Sequence, residues 1–235
     1  MPDNKKNLVV LSGAGISAES GLKTFRDSDG LWENYNVMDV ASIEGWFKNP
    51  QLVLEFYNER RRQLKNAQPN DAHKIFAELE NYFNVDIITQ NVDDLHERAG
   101  SKNVLHLHGI LTQAKSTGDD SLIYDIGYND IKWGDKCEKG YQLRPNIVWF
   151  GEPVPEIINA EKIVAKADIF VIIGTSLLVY PAAGLVHYIK PNVPIYIVDP
   201  KPVVIKNKEN IFFIQKPATI GTKELKEILI KKYLN

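Results

Sequence analysis

The chain has 235 residues, of which 44% are hydrophobic and 25% are charged, with a formal net charge of −2 and one cysteine. This composition is typical of a globular domain with a sizeable core, and the charge indicates neither a nucleic-acid nor a membrane partner. One cysteine excludes an intrachain disulfide and no apolar run is long enough to span a bilayer, so we expect a cytoplasmic location.

Four short apolar segments rich in β-branched residues predict buried parallel strands. They are LVVL (8–11), VDIIT (85–89), ADIFVII (167–173) and PIYIV (194–198), and each ends in small or polar residues. Helical patterns occur at 72–83, with Asp71 as a plausible cap, at 156–167 and at 221–234. Alternating strands and helices predict an α/β fold with a doubly wound parallel sheet, which binds ligands at the carboxyl ends of its strands.

Two stretches interrupt this alternation. Residues 36–69 look helical and contain the charged sequence YNERRRQL. Residues 112–144 are polar, contain glycine and have no helical period. We interpret both as insertions that form a small second module over the sheet, within a single domain spanning residues 1–235.

Polar clusters follow the predicted strands. In SGAGISAESG, Gly13 and Gly15 allow a tight turn close to a phosphate, and Ser17 or Ser20 is a candidate start of a helix whose amides face an anion. The glycine spacing is G-x-G-x₅-G, not the G-x-G-x-x-G of dehydrogenases, and a plain strand-to-helix turn explains it equally well.

Three further segments have two interpretations each. In TFRDSDGLW (24–32), the Phe–Arg pair suits a ring and a phosphate, or it belongs to a surface loop. In TQNVDDLH (89–96), the amides and carboxylate suit a ribose or a carboxamide, or they cap a helix. LHLHGIL (105–111) places His106 and His108 on one face of a short strand, as metal ligands, core residues or a catalytic base.

Six motifs follow one another along the chain: GAGISAESG, TFRD, QNVD, HGIL, WFGE and GTS. Their residues and their order resemble those of the sirtuin family across nearly the whole chain. Sirtuins are NAD-dependent protein-lysine deacylases with a Rossmann-like domain and a small zinc module. The resemblance implies a Rossmann-like fold with a smaller inserted module, NAD as co-substrate and acyl-lysine proteins as substrates.

The resemblance also implies roles for single residues. His108 matches the catalytic histidine, Asn91 is a second catalytic residue, and His106 matches no functional position and is expected to be a packing residue. An imidazole with an ordinary pKa near 6.5 is suited to take a proton from a ribose hydroxyl at neutral pH. In this chemistry the acyl oxygen attacks C1′ of the nicotinamide ribose, and the products are nicotinamide, free lysine and O-acyl-ADP-ribose.

The motif positions that the resemblance assigns to NAD are Gly13, Ala14, Gly15, Glu19, Thr24, Phe25, Arg26, Trp32, Gln90, Asn91, Asp93, Gly174, Thr175, Ser176, Asp199 and Ala218. Many sirtuins have asparagine at the position of Asp199, and an aspartate accepts from a ribose hydroxyl but cannot donate to it. The positions that match the substrate cleft are Val148, Trp149, Phe150 and Gly151, where we expect the peptide to bind by β-augmentation.

One pair departs from the general family pattern. Tyr57 and Arg60 lie at i and i+3, so they share one face of a helix. The pair is similar to that of the sirtuin subgroup that removes negatively charged acyl groups, and Ala41 matches a small residue that widens the acyl pocket. Succinyl- and malonyl-lysine are therefore the implied substrates, with acetyl-lysine possible. Arg61 and Arg62 point around the helix from Arg60, and we expect their substitution to matter little for the turnover of acyl peptides.

The zinc site is the second departure. Sirtuins usually hold zinc with two cysteine pairs between HG and LRP, whereas this region offers Ser116 and Asp119 early and only Cys137 late. We therefore expect no zinc. The candidate apolar residues for stabilising the module instead are Leu122, Ile123, Tyr124, Ile126, Tyr128, Ile131 and Trp133.

Three other functions compete with the deacylase reading. ADP-ribosyl transfer to protein would use the same activated ribose. A non-catalytic NAD-binding module would fit the missing cysteines, but the presence of His108, Asn91 and Asp93 argues against it. A hydride-transferring dehydrogenase fits the glycine turn but not its spacing.

Overall fold

The computed structural model describes residues 5–23, 31–32, 35–203, 205 and 210–234. The strands are β1 (Asn7–Ser12), β2 (Leu31–Trp32), β3 (Tyr35–Asn36), β4 (Asn84–Thr89), β5 (Val104–His106), β6 (Gly109–Ser116), β7 (Ile123–Asp125), β8 (Leu143–Ile147), β9 (Ile169–Ile173), β10 (Ile195–Val198) and β11 (Ile211–Ile214). The α-helices are α1 (Val37–Val40), α2 (Ile43–Lys48), α3 (Pro50–Asn66), α4 (Asp71–Leu79), α5 (Leu95–Arg98), α6 (Ile157–Val164) and α7 (Ala218–Tyr233). Within the described ranges, none of these helices has the length and apolarity needed to cross a membrane.

Six parallel strands form the main sheet in the order β11-β10-β9-β1-β4-β5. The chain order reverses at β1, because β9 lies on one side of it and β4 on the other. In doubly wound sheets this reversal marks the crevice in which ligands bind. The four predicted strands are β1, β4, β9 and β10 of this sheet, and the predicted α/β fold class is confirmed.

Both faces of the sheet are covered by helices. Successive residues of β1 point to opposite sides, so Val9 belongs to the core beneath α6 and the 3₁₀ segment Ala182–Tyr188, whereas Val10 belongs to the core beneath α4 and α7. Burial on both faces explains why the strands are continuous apolar runs in the sequence, without alternation.

The helix predicted at 72–83 is shorter than expected. It ends as α4 at Leu79, and Tyr82 lies beyond it with an exposed side chain. Its cap is Asn70 and not Asp71, because Asn70 Oδ1 accepts a hydrogen bond from the Ala72 N–H at 3.0 Å. The predicted cap is therefore wrong by one residue, since Asp71 is already the first helical residue.

The two insertions pack against each other. The first contains α1, α2 and α3, and the second forms an antiparallel sheet in the order β7-β6-β8. This sheet extends beyond the predicted 112–144, from Gly109 to Ile147. Phe56 of α3 is buried in one cluster with Leu111 of β6 and Ile147 of β8, so the two insertions share a core apart from the main sheet.

Arg61 joins the two parts of this module. It is fully buried, and its Nε donates to the Asn129 carbonyl at 3.0 Å while Nη1 donates to the Leu111 carbonyl at 3.4 Å. Its Nη2 donates to Asn58 Oδ1, which also accepts from the Ile131 N–H at 2.9 Å. These contacts lead us to expect that substitution of Arg61 lowers the stability of the module, while its expected small effect on the turnover of acyl peptides stays a prediction.

The apolar residues proposed for the β6–β8 region have different environments. Ile131 is buried against α3, and Ile126 and Tyr128 pack partly against the same core. By contrast, Ile123 and Trp133 are 49% and 56% exposed. The apolar set therefore supports the side of the sheet that faces α3, and its distal end depends on polar contacts.

The distal end is where the missing cysteines would lie. Ser116 Oγ is 3.4 Å from Cys137 Sγ and accepts hydrogen bonds from the Gly118 and Asp119 amides, each at 3.2 Å. Lys139 pairs with Asp119 at 2.5 Å, and its hydrogen bond lowers the pKa of Asp119 to about 2. In the part of the chain that the structure describes, no three His, Cys, Asp or Glu side chains form a group that could hold a metal ion. The absence of zinc stays a prediction.

Candidate active site

A cavity of about 330 Å³ lies where the carboxyl ends of β1, β4 and β9 face the small module. The turns after these strands line it, together with residues of α3 and of the segment after β8. Its volume is in the range of small-molecule sites, about 300–1,000 Å³. The candidate residues that line it are Gly13, Ala14, Gly15, Ala41, Tyr57, Arg60, Gln90, Asn91, Asp93, His108, Val148, Trp149, Phe150, Gly151, Gly174, Thr175 and Ser176.

The glycines bring the turns after β1 and β9 into direct contact. The Gly13 amide donates to the Ile173 carbonyl at 3.0 Å, and the Gly15 amide donates to the Gly174 carbonyl at 2.9 Å. A Cβ at residue 15 would lie 2.6 Å from Gly174 Cα, and Gly174 has a φ of +62°, which glycine adopts without strain. This close packing places the main chain of both turns at the same end of the cavity.

The helix expected to begin at Ser17 or Ser20 is absent from the described segment 5–23. Residues 14–16 and 18–20 form two short 3₁₀ turns, and the Ser17 side chain makes no capping hydrogen bond. Its hydroxyl donates instead to Asp93 Oδ2 at 2.9 Å. The predicted helix start is therefore wrong, and Ser17 belongs to the polar network of the site.

That network orients the side chain of Asn91. Asn91 Nδ2 donates to Ser17 Oγ at 3.2 Å, which passes the hydrogen bond on to Asp93. Asp93 Oδ1 accepts from the amide of Leu95, the first residue of α5, at 3.2 Å, although the cap position of this helix is Asp94, whose side chain makes no capping hydrogen bond. Burial raises the pKa of Asp93 to about 6, although the hydrogen bonds from Leu95 and Ser17 lower it.

His108 presents one ring nitrogen as a base. Its Nδ1 lies 2.9 Å from the Gln90 carbonyl, which can only accept, so Nδ1 carries the proton and neutral His108 has its lone pair on Nε2. Burial lowers the pKa of His108, against the opposing effect of the Gln90 hydrogen bond. The side chain is therefore neutral at pH 7 and can take a proton at Nε2.

His106 lies at the end of β5, with His108 beyond the strand, so the two histidines do not share one face of one strand. His106 Nδ1 is 3.0 Å from the Asn91 carbonyl, and Nε2 is 2.6 Å from Glu97 Oε1. Burial alone would lower the pKa of His106, but the hydrogen bond to Glu97 outweighs it and raises the pKa. Both nitrogens are engaged away from the cavity, which supports the expectation that His106 is structural.

Tyr57 and Arg60 lie one turn apart on α3, and both line the cavity. They are 1% and 7% exposed. The Arg60 guanidinium carbon lies 4.8 Å from the centroid of the Phe56 ring, and Nη2 is 3.5 Å from Glu59 Oε2. Ala41, with a one-carbon side chain, forms part of the same wall. The small module thus brings a positive charge and a phenol to the cavity that His108 also lines.

Part of the main chain of the expected substrate cleft is already engaged. The Val148 amide donates to the His108 carbonyl at 2.9 Å, and the Phe150 amide donates to the Ala41 carbonyl at 2.9 Å. A peptide that adds a strand here must therefore use other main-chain groups of the segment 148–151. The β-augmentation stays a prediction.

Three expected NAD contacts lie outside the cavity lining. Glu19 accepts hydrogen bonds from the Thr219 amide (2.9 Å) and hydroxyl (2.7 Å), and so caps α7, which begins at Ala218 rather than at the predicted 221. Asp199 is buried just after β10 and accepts from the Lys201 amide at 2.9 Å. The NAD contacts of Glu19, Asp199 and Ala218 stay predictions.

Four other expected NAD residues cannot be placed. Thr24, Phe25 and Arg26 lie outside the described residues. Trp32 lies in β2, which is described for its backbone alone.

An ion pair at the cavity, between Arg144 and its lining residue Glu152, was not identified from the sequence. Arg144 donates through Nη1 and Nη2 to Glu152 Oε1 and Oε2, at 2.6 and 2.9 Å. Glu152 Oε2 also accepts from the Trp149 amide at 2.9 Å. The sequence does contain Glu152 in the WFGE motif and Arg144 in LRP. It does not show that they pair, because the pairing depends on how the chain turns back between them.

Comparisons with known proteins give one consistent result. A curated NAD-dependent protein deacylase of Bacteroides thetaiotaomicron is 54% identical over 233 residues, covering 96% of this chain and 98% of the relative. One of Helicobacter pylori is 54% identical over 226 residues, with 96% and 98% covered.

Solved structures agree in fold. A complex of a Sir2 homologue with NAD has a TM-score of 0.86 at 39% identity, covering 97% of this chain and 91% of the other. A Sir2 homologue mutant in complex with ADP-ribose has a TM-score of 0.88 at 39% identity, with 97% and 94% covered. The model of the Sir2 family matches residues 13–181, which hold the cavity with all three strand-end turns, and the chain therefore belongs to the Sir2, or sirtuin, family.

Proposed function

We propose that this chain is an NAD-dependent protein-lysine deacylase that prefers acyl groups ending in a carboxylate, such as succinyl- and malonyl-lysine. NAD is the co-substrate, and curated relatives at 54% identity are named NAD-dependent protein deacylases. The observation that carries the acyl preference is that Arg60 and Tyr57 line the same cavity as His108.

A carboxylate that leaves water for a buried pocket loses several kcal/mol of hydration unless it meets an opposite charge with hydrogen-bond donors. The Arg60 guanidinium supplies such a charge at a position that is only 7% exposed. A guanidinium can bind a carboxylate with two charge-assisted hydrogen bonds, and the Tyr57 hydroxyl can add a third. Together these contacts support a preference of about 3 kcal/mol, or on the order of a hundredfold in affinity.

NAD, when bound, supplies an electrophilic ribose carbon with nicotinamide as its leaving group. His108 Nε2 takes the proton of a ribose hydroxyl, because Nδ1 is occupied by the Gln90 carbonyl. Asn91 lines the same cavity, and its amide donates to Ser17 Oγ, which restrains the orientation of the side chain. With one water consumed, the expected products are free lysine, nicotinamide and O-acyl-ADP-ribose.

Mass spectrometry of matched succinyl-, malonyl- and acetyl-lysine peptides, with and without NAD, tests this proposal. In Arg60→Met, succinyl-peptide turnover should fall by one to two orders of magnitude, an estimate from the same free energy, while acetyl-peptide turnover changes little. Tyr57→Phe should act in the same direction more weakly, because it removes a neutral donor. Arg62→Met is the matched control, since Arg62 is exposed and pairs with Glu55 and Asp130.

Equal losses on acetyl and succinyl peptides in Arg60→Met would mean that Arg60 supports the module and does not bind the acyl group. ADP-ribosylated protein in place of O-acyl-ADP-ribose would favour ADP-ribosyl transfer instead. A cytoplasmic location stays a prediction.

A further inference from the structure

Two buried aromatic residues that line the cavity, Tyr57 and Trp149, are joined by a hydrogen bond. Trp149 Nε1 lies 3.0 Å from the Tyr57 hydroxyl oxygen, and the residues are 2% and 1% exposed. An indole N–H can only donate, so the Tyr57 oxygen is the acceptor in this bond. The bond joins α3 to the segment after β8, which are 92 residues apart in the chain.

This bond determines that the Tyr57 hydroxyl oxygen acts as an acceptor toward Trp149 and leaves its hydrogen for another partner. Because its oxygen accepts from Trp149, its hydrogen must be offered to a different group. Across the described ranges, the Tyr57 O–H donates to no protein acceptor, and Tyr57 lines the cavity. Burial raises the pKa of Tyr57 well above its ordinary value, so the proton stays on the oxygen at any physiological pH.

The indole is held in place by its neighbours. The Arg144 guanidinium carbon lies 3.4 Å from the centroid of the Trp149 ring, and the Trp46 ring centroid lies 5.4 Å away. Glu152 holds the Trp149 amide and also pairs with Arg144. Trp149 therefore cannot turn away from Tyr57 without breaking several contacts.

We propose that Trp149 is a specificity-determining residue, whose indole N–H fills the acceptor side of the Tyr57 hydroxyl and makes that hydroxyl a dedicated donor to the terminal carboxylate of acyl-lysine. The inference rests on the proposed acyl preference and deepens it. An acyl chain of the same length without an acceptor, such as butyryl, leaves the buried O–H without a partner, which disfavours its binding. The indole thus affects the choice of acyl group indirectly, by orienting the Tyr57 hydroxyl.

The test compares kcat/KM for succinyl- and butyryl-lysine peptides of one sequence in wild type and in Trp149→Phe. The ratio of the two kcat/KM values measures the contribution of the hydrogen bond from Tyr57 to the acyl carboxylate, since any effect of the smaller ring on the shape of the cavity is common to both peptides. We expect the succinyl-to-butyryl ratio to fall about fivefold, mainly through KM for the succinyl peptide. Trp46→Phe removes an indole from the same cluster and should leave the ratio within about twofold of wild type.

A double-mutant cycle separates the hydrogen bond from packing. In Tyr57→Phe there is no hydroxyl to orient, so adding Trp149→Phe should change the ratio no further. Replacement of Trp149 by 3-benzothienylalanine, which keeps the shape of the indole and lacks its N–H, serves if the phenylalanine variant does not fold. This replacement should lower the ratio to the same extent.

Three results would overturn the inference, and they separate the role of the indole from the acyl preference. An unchanged ratio in Trp149→Phe, or a fall that persists in the Tyr57→Phe background, would overturn the role of the indole and leave the acyl preference intact. A wild-type enzyme that does not distinguish succinyl from butyryl would overturn the acyl preference and this inference together.

Discussion

Arg61 gives the sharpest test of the structure, because its neighbour Arg62 provides a matched control on the same helix. Arg61 is fully buried and makes three hydrogen bonds, to the carbonyls of Asn129 and Leu111 and to Asn58 Oδ1. Arg62 is half exposed and pairs with the surface carboxylates of Glu55 and Asp130. We expect Arg61→Met to destabilise the fold and Arg62→Met to leave it nearly unchanged.

The expected loss of stability in Arg61→Met follows from the acceptors that lose their hydrogen-bond donor. Each buried acceptor left without a donor costs about 1–3 kcal/mol. Burial lowers the pKa of Arg61 to about 10, and removing this desolvated charge offsets part of that cost. We therefore expect the free energy of unfolding to fall by about 3 kcal/mol, which corresponds to a Tm lower by about 6–12 °C for a chain of this size.

Thermal and urea denaturation of the two variants and wild type measure the difference. Arg62→Met should change the free energy of unfolding by about 0–1 kcal/mol, as exposed ion pairs do. If Arg61→Met and Arg62→Met were equally stable, the buried clamp between α3 and the β6–β8 sheet would contribute nothing, and the reasoning would be refuted. Asn58→Ala should resemble Arg61→Met, because Asn58 also binds Ile131.

Three further predictions concern the site and its surroundings. His108→Ala should abolish turnover and leave NAD affinity within a few-fold, whereas His106→Ala should keep measurable turnover; a folded but equally inactive His106→Ala would reverse the assignment. Dialysis against a chelator should leave the Tm unchanged, because we expect no structural zinc; removal of such a zinc would cost on the order of 10 kcal/mol and lower the Tm strongly. About one zinc per chain by elemental analysis would contradict this. Burial lowers the pKa of His73 to about 4 and that of His96 well below its ordinary range. Below about pH 6.5 the unfolded chain therefore takes up protons that the folded chain does not. The free energy of unfolding then decreases by about 1.4 kcal/mol for each histidine and each unit by which the pH is lowered. Burial raises the pKa of Asp93 to about 6, so between about pH 6 and 4 the folded chain holds a proton on Asp93 that the unfolded chain does not. In this range Asp93 offsets the loss of stability caused by one of the two histidines. His96→Gln should therefore flatten the acid limb of a stability–pH curve, and an unchanged slope would argue against a neutral buried His96.

The features that the sequence predicted correctly are local patterns. The apolar runs at 8–11, 85–89, 167–173 and 194–198 indicated strands because a strand buried on both faces needs consecutive apolar residues. The polar clusters after them indicated the site because parallel strands end at one edge of the sheet. The family resemblance rests on the same clusters, and the turns at 13–15, 90–93 and 174–176 do meet at one cavity.

The tertiary structure decided features that depend on distant partners. YNERRRQL does not distinguish buried Arg61 from exposed Arg62, because helix periodicity locates a face but not what packs against it. The hydrogen bond of Trp149 to Tyr57 and that of Ser17 to Asp93 join residues far apart in the chain. The burial and polarity of a side chain depend on the groups that folding places around it, and for these residues those groups come from other strands, helices and turns.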